Sequence, residues 1–217
     1  MATKTKGRIA PQIDLDLLTD TFAEQLASGL VIDATASDTA LPPLLSPRGQ
    51  ATRIDRNFWT SVTLADPKAN GLRMQDTRIE NSDLANIVLT GSILERVEII
   101  STRLTGATCA EAQFKSVLFK ECKLDFAHLR MARLQQCVFE NCNLTDADFY
   151  GADLSGAIFR DCDLSRADLS QAKLVNADIR GCRLDGLRGT PGAMAGLIIS
   201  PDQAPLLITL FGVRVEW

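Results

Sequence analysis

Ala147-Asp148-Phe149-Tyr150-Gly151 and Ala152-Asp153-Leu154-Ser155-Gly156 are consecutive five-residue words, and Ala167-Asp168-Leu169-Ser170-Gln171 repeats them further on. Each word runs small residue, acid, large apolar residue, then two small or polar residues. Stepping outward from Phe149 in fives gives an unbroken apolar row. From Ile79 to Leu184 its 22 positions hold 13 Leu, 5 Phe, 3 Ile and Cys109. With 46% of the chain apolar, chance produces such a row with a probability on the order of 10⁻⁷ over the five registers. A helix repeats its faces every 3.6 residues and a strand every two, so neither accounts for a period of five. Two residues before each row member stand 10 Ala, 5 Cys, 2 Ser, 2 Thr, 2 Val and Ile87. Each pentad therefore turns one large and one small residue inward.

These words resemble the pentapeptide-repeat family, whose consensus is Ala-(Asp/Asn)-Leu-X-X. The pattern is strong over 77–186 and extends weakly back to about residue 52 through Ile54, Trp59, Leu64, Ala69 and Met74. The resemblance implies an all-β solenoid, a right-handed quadrilateral β-helix in which four pentads, about 20 residues, close one coil. Stacking at that interval predicts like-on-like columns. One holds Ile79, Ile99, Phe119, Phe139, Phe159 and Ile179, and the next is Leu84, Leu104, Leu124, Leu144, Leu164 and Leu184. At ~4.8 Å per coil the rod is roughly 30 Å long. Three segments follow: 1–50, an N-terminal helix or degenerate coils plus a loop; 51–188, the β-helix; and 189–217, a C-terminal cap and dimerisation segment with a short helix and strand.

Composition narrows the function. The chain has 217 residues, with 23 Lys+Arg against 27 Asp+Glu and a net charge of −4. That argues against a basic nucleic-acid binder and against a disordered chain. There is neither an apolar run long enough for a transmembrane helix nor an apolar stretch behind the basic N-terminus, so a cytoplasmic protein is expected. Cys122, Cys142, Cys162 and Cys182 are spaced by one coil and form a ladder of small inward residues, with Cys137 in the same role and Cys109 in a central one. Their spacing of ~5 Å is too long for disulfides. No metal site, cofactor or catalytic pair emerges, and His128 reads as a surface residue; the protein is expected not to be an enzyme.

Both ends need closing, because open strand edges invite aggregation. After the turn-rich 186–192, Gly196–Ile199 reads as a strand. Ser200, Pro201 and Gln203 open a helix, which starts there or nearer Ala204 because of Pro205. Val213–Trp217 reads as a strand. Leu206, Leu207, Leu210, Phe211, Val213, Val215 and Trp217 exceed what a cap uses, which predicts a homodimer. At the other end Leu17, Leu18, Phe22, Leu26 and Leu30 have near-helical spacing, and 33–50 is loop-like with three prolines.

Charge is uneven along the rod. Residues 96–136 sum to +3, and residues 137–179 to −5. The acids of the second stretch are Glu140, Asp146, Asp148, Asp153, Asp161, Asp163, Asp168 and Asp178. Those just before a central residue also suit turn-shaping hydrogen bonds to nearby backbone. A dimer joined at the C-terminal ends makes a narrow acidic rod over 60 Å long, if each half is roughly 30 Å, with the thickness of a nucleic-acid duplex. The ending Gln203–Val215 is similar to that of the gyrase-interacting branch, the Qnr-type fluoroquinolone-resistance proteins and related topoisomerase-poison resistance proteins. That resemblance implies a DNA-mimicking dimer that binds DNA gyrase or topoisomerase IV and modulates or protects it, with the eight acids as its partner-binding surface and no direct nucleic-acid contact. The alternative is a protein-protein interaction scaffold for another partner. Qnr-type proteins also carry projecting loops. Here the register is unbroken from 74 to 184, and Ala65–Gly71 is the one segment with room to protrude, so the chain resembles the loop-less type that inhibits gyrase as well as shielding it.

Overall fold

The computed structural model describes residues 8–14, 25–26, 28–44, 52–210 and 212–214. Thirteen short strands run through them, every pairing is parallel, and together they wrap a β-solenoid of about six turns with one short helix. The register is one coil of 20 residues: Ile79 pairs with Ile99, Ile99 with Phe119, Phe119 with Phe139 and Phe139 with Phe159.

A residue in the left-handed region at every fifth position makes the corners. Asn81, Asn86, Gly91 and Arg96 have φ of 49, 59, 64 and 52°, and Ser101, Gly106, Glu111 and Ser116 repeat them at 47, 69, 59 and 56°. Four such residues per coil give four sides. At the tight corners the central residue's carbonyl accepts the N–H three residues on, as in Leu104 to Ala107 at 3.0 Å and Leu124 to Ala127 at 3.1 Å. That is a type II turn, which requires a positive φ at its third residue.

The central row and the small row are both buried, so large and small residues alternate around each coil. Phe119, Phe139 and Phe159 stack with centroids 4.8 and 4.7 Å apart and planes within 6 and 3°. Those separations are one strand spacing, so the coil rise itself sets the stack. Phe114 and Phe149 meet this column edge-on at 5.9 and 6.3 Å. Trp59, fully buried, continues the column beyond Ile79.

Several sequence expectations change here. Part of the loop-like stretch 33–50 is strand, Thr35–Ser37 and Ala40–Leu41; with Leu30–Ile32 just before them, they pair with Arg53–Asp55, Phe58–Thr60 and Thr63–Leu64 at an offset of 23 residues. Val31, Ala36 and Leu41 are the inward residues of this coil, out of phase with the later pentads. Leu30, the last member of the helical spacing, is therefore in a strand, while Leu26 is buried against the core. Leu17, Leu18 and Phe22 lie outside the described residues. Ala65–Gly71 does not protrude. Lys68 bridges Val88, and the Ala69 and Gly71 N–H groups donate to Val88 and Thr90 at 2.9 Å, so the segment stays in the coil.

At the C-terminal end the 20-residue pairing reaches Arg188, and Ile198 bridges Asp178. That single bridge is all that forms of the Gly196–Ile199 strand. The helix is Ala204–Thr209, led in by a 3-10 turn over Pro201–Gln203. Val213 and Arg214 belong to no strand, and Val215 and Trp217 lie outside the described residues. Gln203 closes the last coil. Its Oε1 accepts the Ser200 N–H at 2.9 Å, and its Nε2 donates to the carbonyls of Ile179 and Cys182 at 2.9 and 2.8 Å.

Candidate docking surface

Outward side chains come from the two residues flanking each central one and from the corner residue. The consensus aspartates serve the turns first. Asp148, Asp153, Asp163, Asp168 and Asp178 each accept through Oδ1 the backbone N–H two residues on, at 2.9 to 3.2 Å. These are Asx-turns, the local bonding that short carboxylates favour.

Their second oxygens face cations. Asp148 pairs with Arg130 at 2.9 Å, Asp153 with Lys173 at 3.9 Å, and Asp163 with Arg183 at 3.5 Å. Asp168 pairs with Arg188 at 3.8 Å and Asp178 with Arg180 at 2.7 Å. Glu140 accepts Arg160 at 2.6 Å, and Asp146 takes Arg166 through both oxygens at 2.9 and 2.6 Å. Of the eight acids read from the sequence, Asp161 alone has no ion pair among the described residues. Arg166 holds the Asp146 carboxyl below its ordinary range, and Arg180 does so for Asp178. At Asp153, Asp163 and Asp168 burial pushes upward, but the serine bonds and nearby cations outweigh it, and these too titrate low.

The pairing has a direction that window counting hides. Asp76–Arg96, Asp83–Arg103, Glu95–Lys115, Glu140–Arg160, Asp146–Arg166, Asp153–Lys173, Asp163–Arg183 and Asp168–Arg188 all place the acid one coil before the base. Arg78–Glu98 is the reverse. A window ending at 179 therefore counts Asp163, Asp168 and Asp178 but omits Arg183, Arg188 and Arg180 that answer them. The signal was readable: folding the sequence into rows of 20 sets Asp163 and Asp168 above Arg183 and Arg188, and Arg180 stands two residues after Asp178.

Other features fill in the surface. Residues 8–14 reach the coils at two points, where Arg8 pairs with Glu98 at 2.7 Å and the Gln12 N–H donates to Asp76 at 3.1 Å; the sequence reading assigned them no role. His128 is exposed, as expected of a surface residue. All six cysteines are free thiols and buried. Cys122 and Cys142 donate to carbonyls two residues back and on the neighbouring coil at 3.3 to 3.4 Å. Burial pushes Cys109 and Cys137 up to about 12. An open groove of about 320 Å³ runs past Ser61, Asn81 and Ser101, where Ser101 donates to Glu121 at 3.0 Å and Arg103 to Asp83 at 3.0 Å. Among the described residues, no His/Cys/Asp/Glu group that could hold a metal occurs. No described helix is long and apolar enough to cross a membrane.

The residues expected at a dimer contact divide. Leu207 is buried under the last coil and Leu210 packs partly against the core, while Leu206 and Val213 are exposed, together with Ile208, which the sequence reading passed over. Phe211, Val215 and Trp217 lie outside the described residues.

Residues 92–162 match the family profile described as a pentapeptide repeat region, and residues 147–186 match that of pentapeptide repeats in 8 copies. No curated protein matches the chain. A trypsin-treated form of QnrB1, a plasmid-mediated fluoroquinolone resistance protein, is 13% identical over 84% of this chain and 99% of its own, with a TM-score of 0.41. HetL, a pentapeptide repeat protein involved in heterocyst differentiation regulation from the cyanobacterium Nostoc sp. strain PCC 7120, is 21% identical over 73% of this chain and 84% of its own, at 0.44. A pentapeptide repeat protein of the Arabidopsis thaliana thylakoid lumen is 22% identical over 51% of this chain and 73% of its own, at 0.29.

Proposed function

We propose that this pentapeptide-repeat protein is a non-enzymatic, cytoplasmic docking rod that presents its outer columns to a protein partner. One observation carries the reading. Many of the outward charges are tied to the next coil by ion pairs at one-coil intervals, as in Asp146–Arg166 and Glu140–Arg160, so that part of the surface is ordered before any partner arrives. A preordered surface loses little side-chain freedom on binding.

At the finer level, the proposed partner is a type II topoisomerase, DNA gyrase or topoisomerase IV, engaged by a C-terminally joined homodimer that imitates duplex DNA. The Gln203–Val215 ending and the exposed Leu206, Ile208 and Val213 support it. The eight acids from Glu140 to Asp178 are its proposed contact surface, with Asp161 foremost because it has no ion pair among the described residues. The mixed, paired charge favours the second reading, a scaffold for a different protein. Supercoiling and poison-stabilised cleavage assays with purified protein at two salt concentrations separate the two. Under the topoisomerase reading the protein inhibits supercoiling or reduces cleavage, high salt weakens the effect, and Asp161→Asn weakens it more than Asp146→Asn. A confirmed dimer without effect at micromolar concentration overturns that partner and leaves the scaffold.

A further inference from the structure

The corner positions are chemically uniform with two exceptions. Among the described residues, non-glycine corners with positive φ are Asp, Asn, Ser, Arg, Glu or Gln, except Phe126 and Met131, both at φ 56°. Bulky apolar side chains are poor occupants of the left-handed region, where Asn, Asp and Gly are favoured. Neither residue gains burial in return, since each is 54% exposed. The two stand at successive corners of one coil and so bracket one side of the rod, about 16 Å apart at most. Between them lie His128 and Arg130, both exposed. Arg130 sits over the Tyr150 ring of the next coil, 4.5 Å from its centroid, and donates to Asp148 at 2.9 Å. Met131 is seated where the next coil has Gly151: a Cβ there would come within 2.6 Å of the Met131 sulfur. The corner above is kept bare for a methionine that stays exposed.

Unfavourable backbone with no packing return marks residues retained for something other than folding. Exposed Phe, Met and Arg beside the half-buried Tyr150 in one patch match the composition of an interface centre. Charge indicates the occupant. Arg130 is already spent on Asp148 and Tyr150, whereas each apolar corner has a carboxylate beside it with no ion pair among the described residues. Asp125 directly precedes Phe126 and its carboxylate accepts the Thr105 hydroxyl at 2.9 Å, and Glu111 occupies the corner one coil below Met131. Lys123 and Arg133 lie beyond the two corners, on the neighbouring sides.

We propose that the side of the rod between Phe126 and Met131 is the docking surface for a basic protein segment, whose Lys or Arg stems lie over Phe126 and Met131 and whose charged heads reach Asp125 and Glu111. Long basic side chains combine an apolar stem with a charged tip, and a cation over an exposed ring adds attraction. This rests on the docking-rod reading above and is independent of which protein supplies the segment.

The test is Phe126→Asn/Met131→Asn in the full chain, with two readouts. In urea unfolding the double variant has an unchanged or higher midpoint, because asparagine suits both corners. A random 12-residue peptide library displayed on phage, panned against the wild-type chain, yields Lys- or Arg-bearing peptides that bind the double variant about tenfold or more weakly and are released by salt. A lowered urea midpoint shows that the two residues serve the fold and overturns the proposal. So does recovery of no peptide, of acidic peptides, or of peptides that bind the variant equally. In that last case the rod still binds peptides elsewhere, so the docking-rod reading stands while this surface falls.

Discussion

At the scale of single residues, Gln203 shows how one side chain closes a solenoid. It was readable as the third residue of a helix start, and its contact with Ser200 agrees with that. Its donation to Cys182 and Ile179, 21 and 24 residues away, was not readable, because nothing local encodes where the last coil ends. Gln203→Leu preserves bulk but leaves the Cys182 carbonyl buried without this partner. A loss of about 2–3 kcal/mol is expected in urea unfolding, with amide exchange accelerating first in the final coil. The buried thiols make a second residue-scale prediction. Burial raises Cys109 and Cys137 to about 12, so the fold favours their protonated form. Their contribution is complete below the unfolded value of about 8.5 and is lost as pH climbs towards 12. Stability measured against pH should therefore fall on the alkaline side. A thiol reagent at neutral pH should label neither cysteine until the chain is unfolded.

At the scale of elements, the unit is the column, and the best-enclosed charged example is Asp76–Arg96. Arg96 donates to both Asp76 oxygens at 2.7 Å, Gln75 adds a bond at 3.0 Å and the Gln12 N–H another at 3.1 Å. Burial pushes the Asp76 carboxyl up, and these donors together outweigh it and hold the carboxyl low. A folded value below the unfolded one means stability present above about pH 4 and lost as pH falls through the lower value. Arg96→Met strands the carboxylate, costs ~3 kcal/mol at neutral pH, and removes that part of the acid loss; urea midpoints from pH 7 down to 2 check both effects. The central rows were legible at this scale because one large apolar residue every five is a local rule: Phe119, Phe139 and Phe159 stack where the spacing places them. The ion-pair columns were legible only with the coil length in hand. The first coil was not: Val31, Ala36 and Leu41 keep the interval of five, but the offset of 23 residues to the next coil breaks phase with Ile54, Trp59 and Leu64.

At the scale of the whole molecule, charges that pair along the axis cancel within about one coil spacing, ~4.8 Å, well inside the screening length of ~8 Å at physiological salt. The rod therefore projects a weaker field than the sum of its acidic stretch implies, and self-association is left to apolar surface. Besides the Phe126 and Met131 corners, such surface stands at the C-terminal end, where Leu206, Ile208 and Val213 are exposed beside the buried Leu207. Leu206→Ser/Ile208→Ser removes apolar area without opening the core, so under the proposed C-terminal dimer the monomer keeps its urea midpoint while light scattering shows dissociation. Geometry supplies the independent check. Two rods of roughly 30 Å joined end to end give a maximum dimension above ~60 Å in small-angle scattering, whereas a side-by-side pair stays near the length of one rod. A wild-type dimer with the shorter dimension, or one that survives both serines, places the contact elsewhere on the rod and removes the duplex-length shape on which imitation of DNA depends.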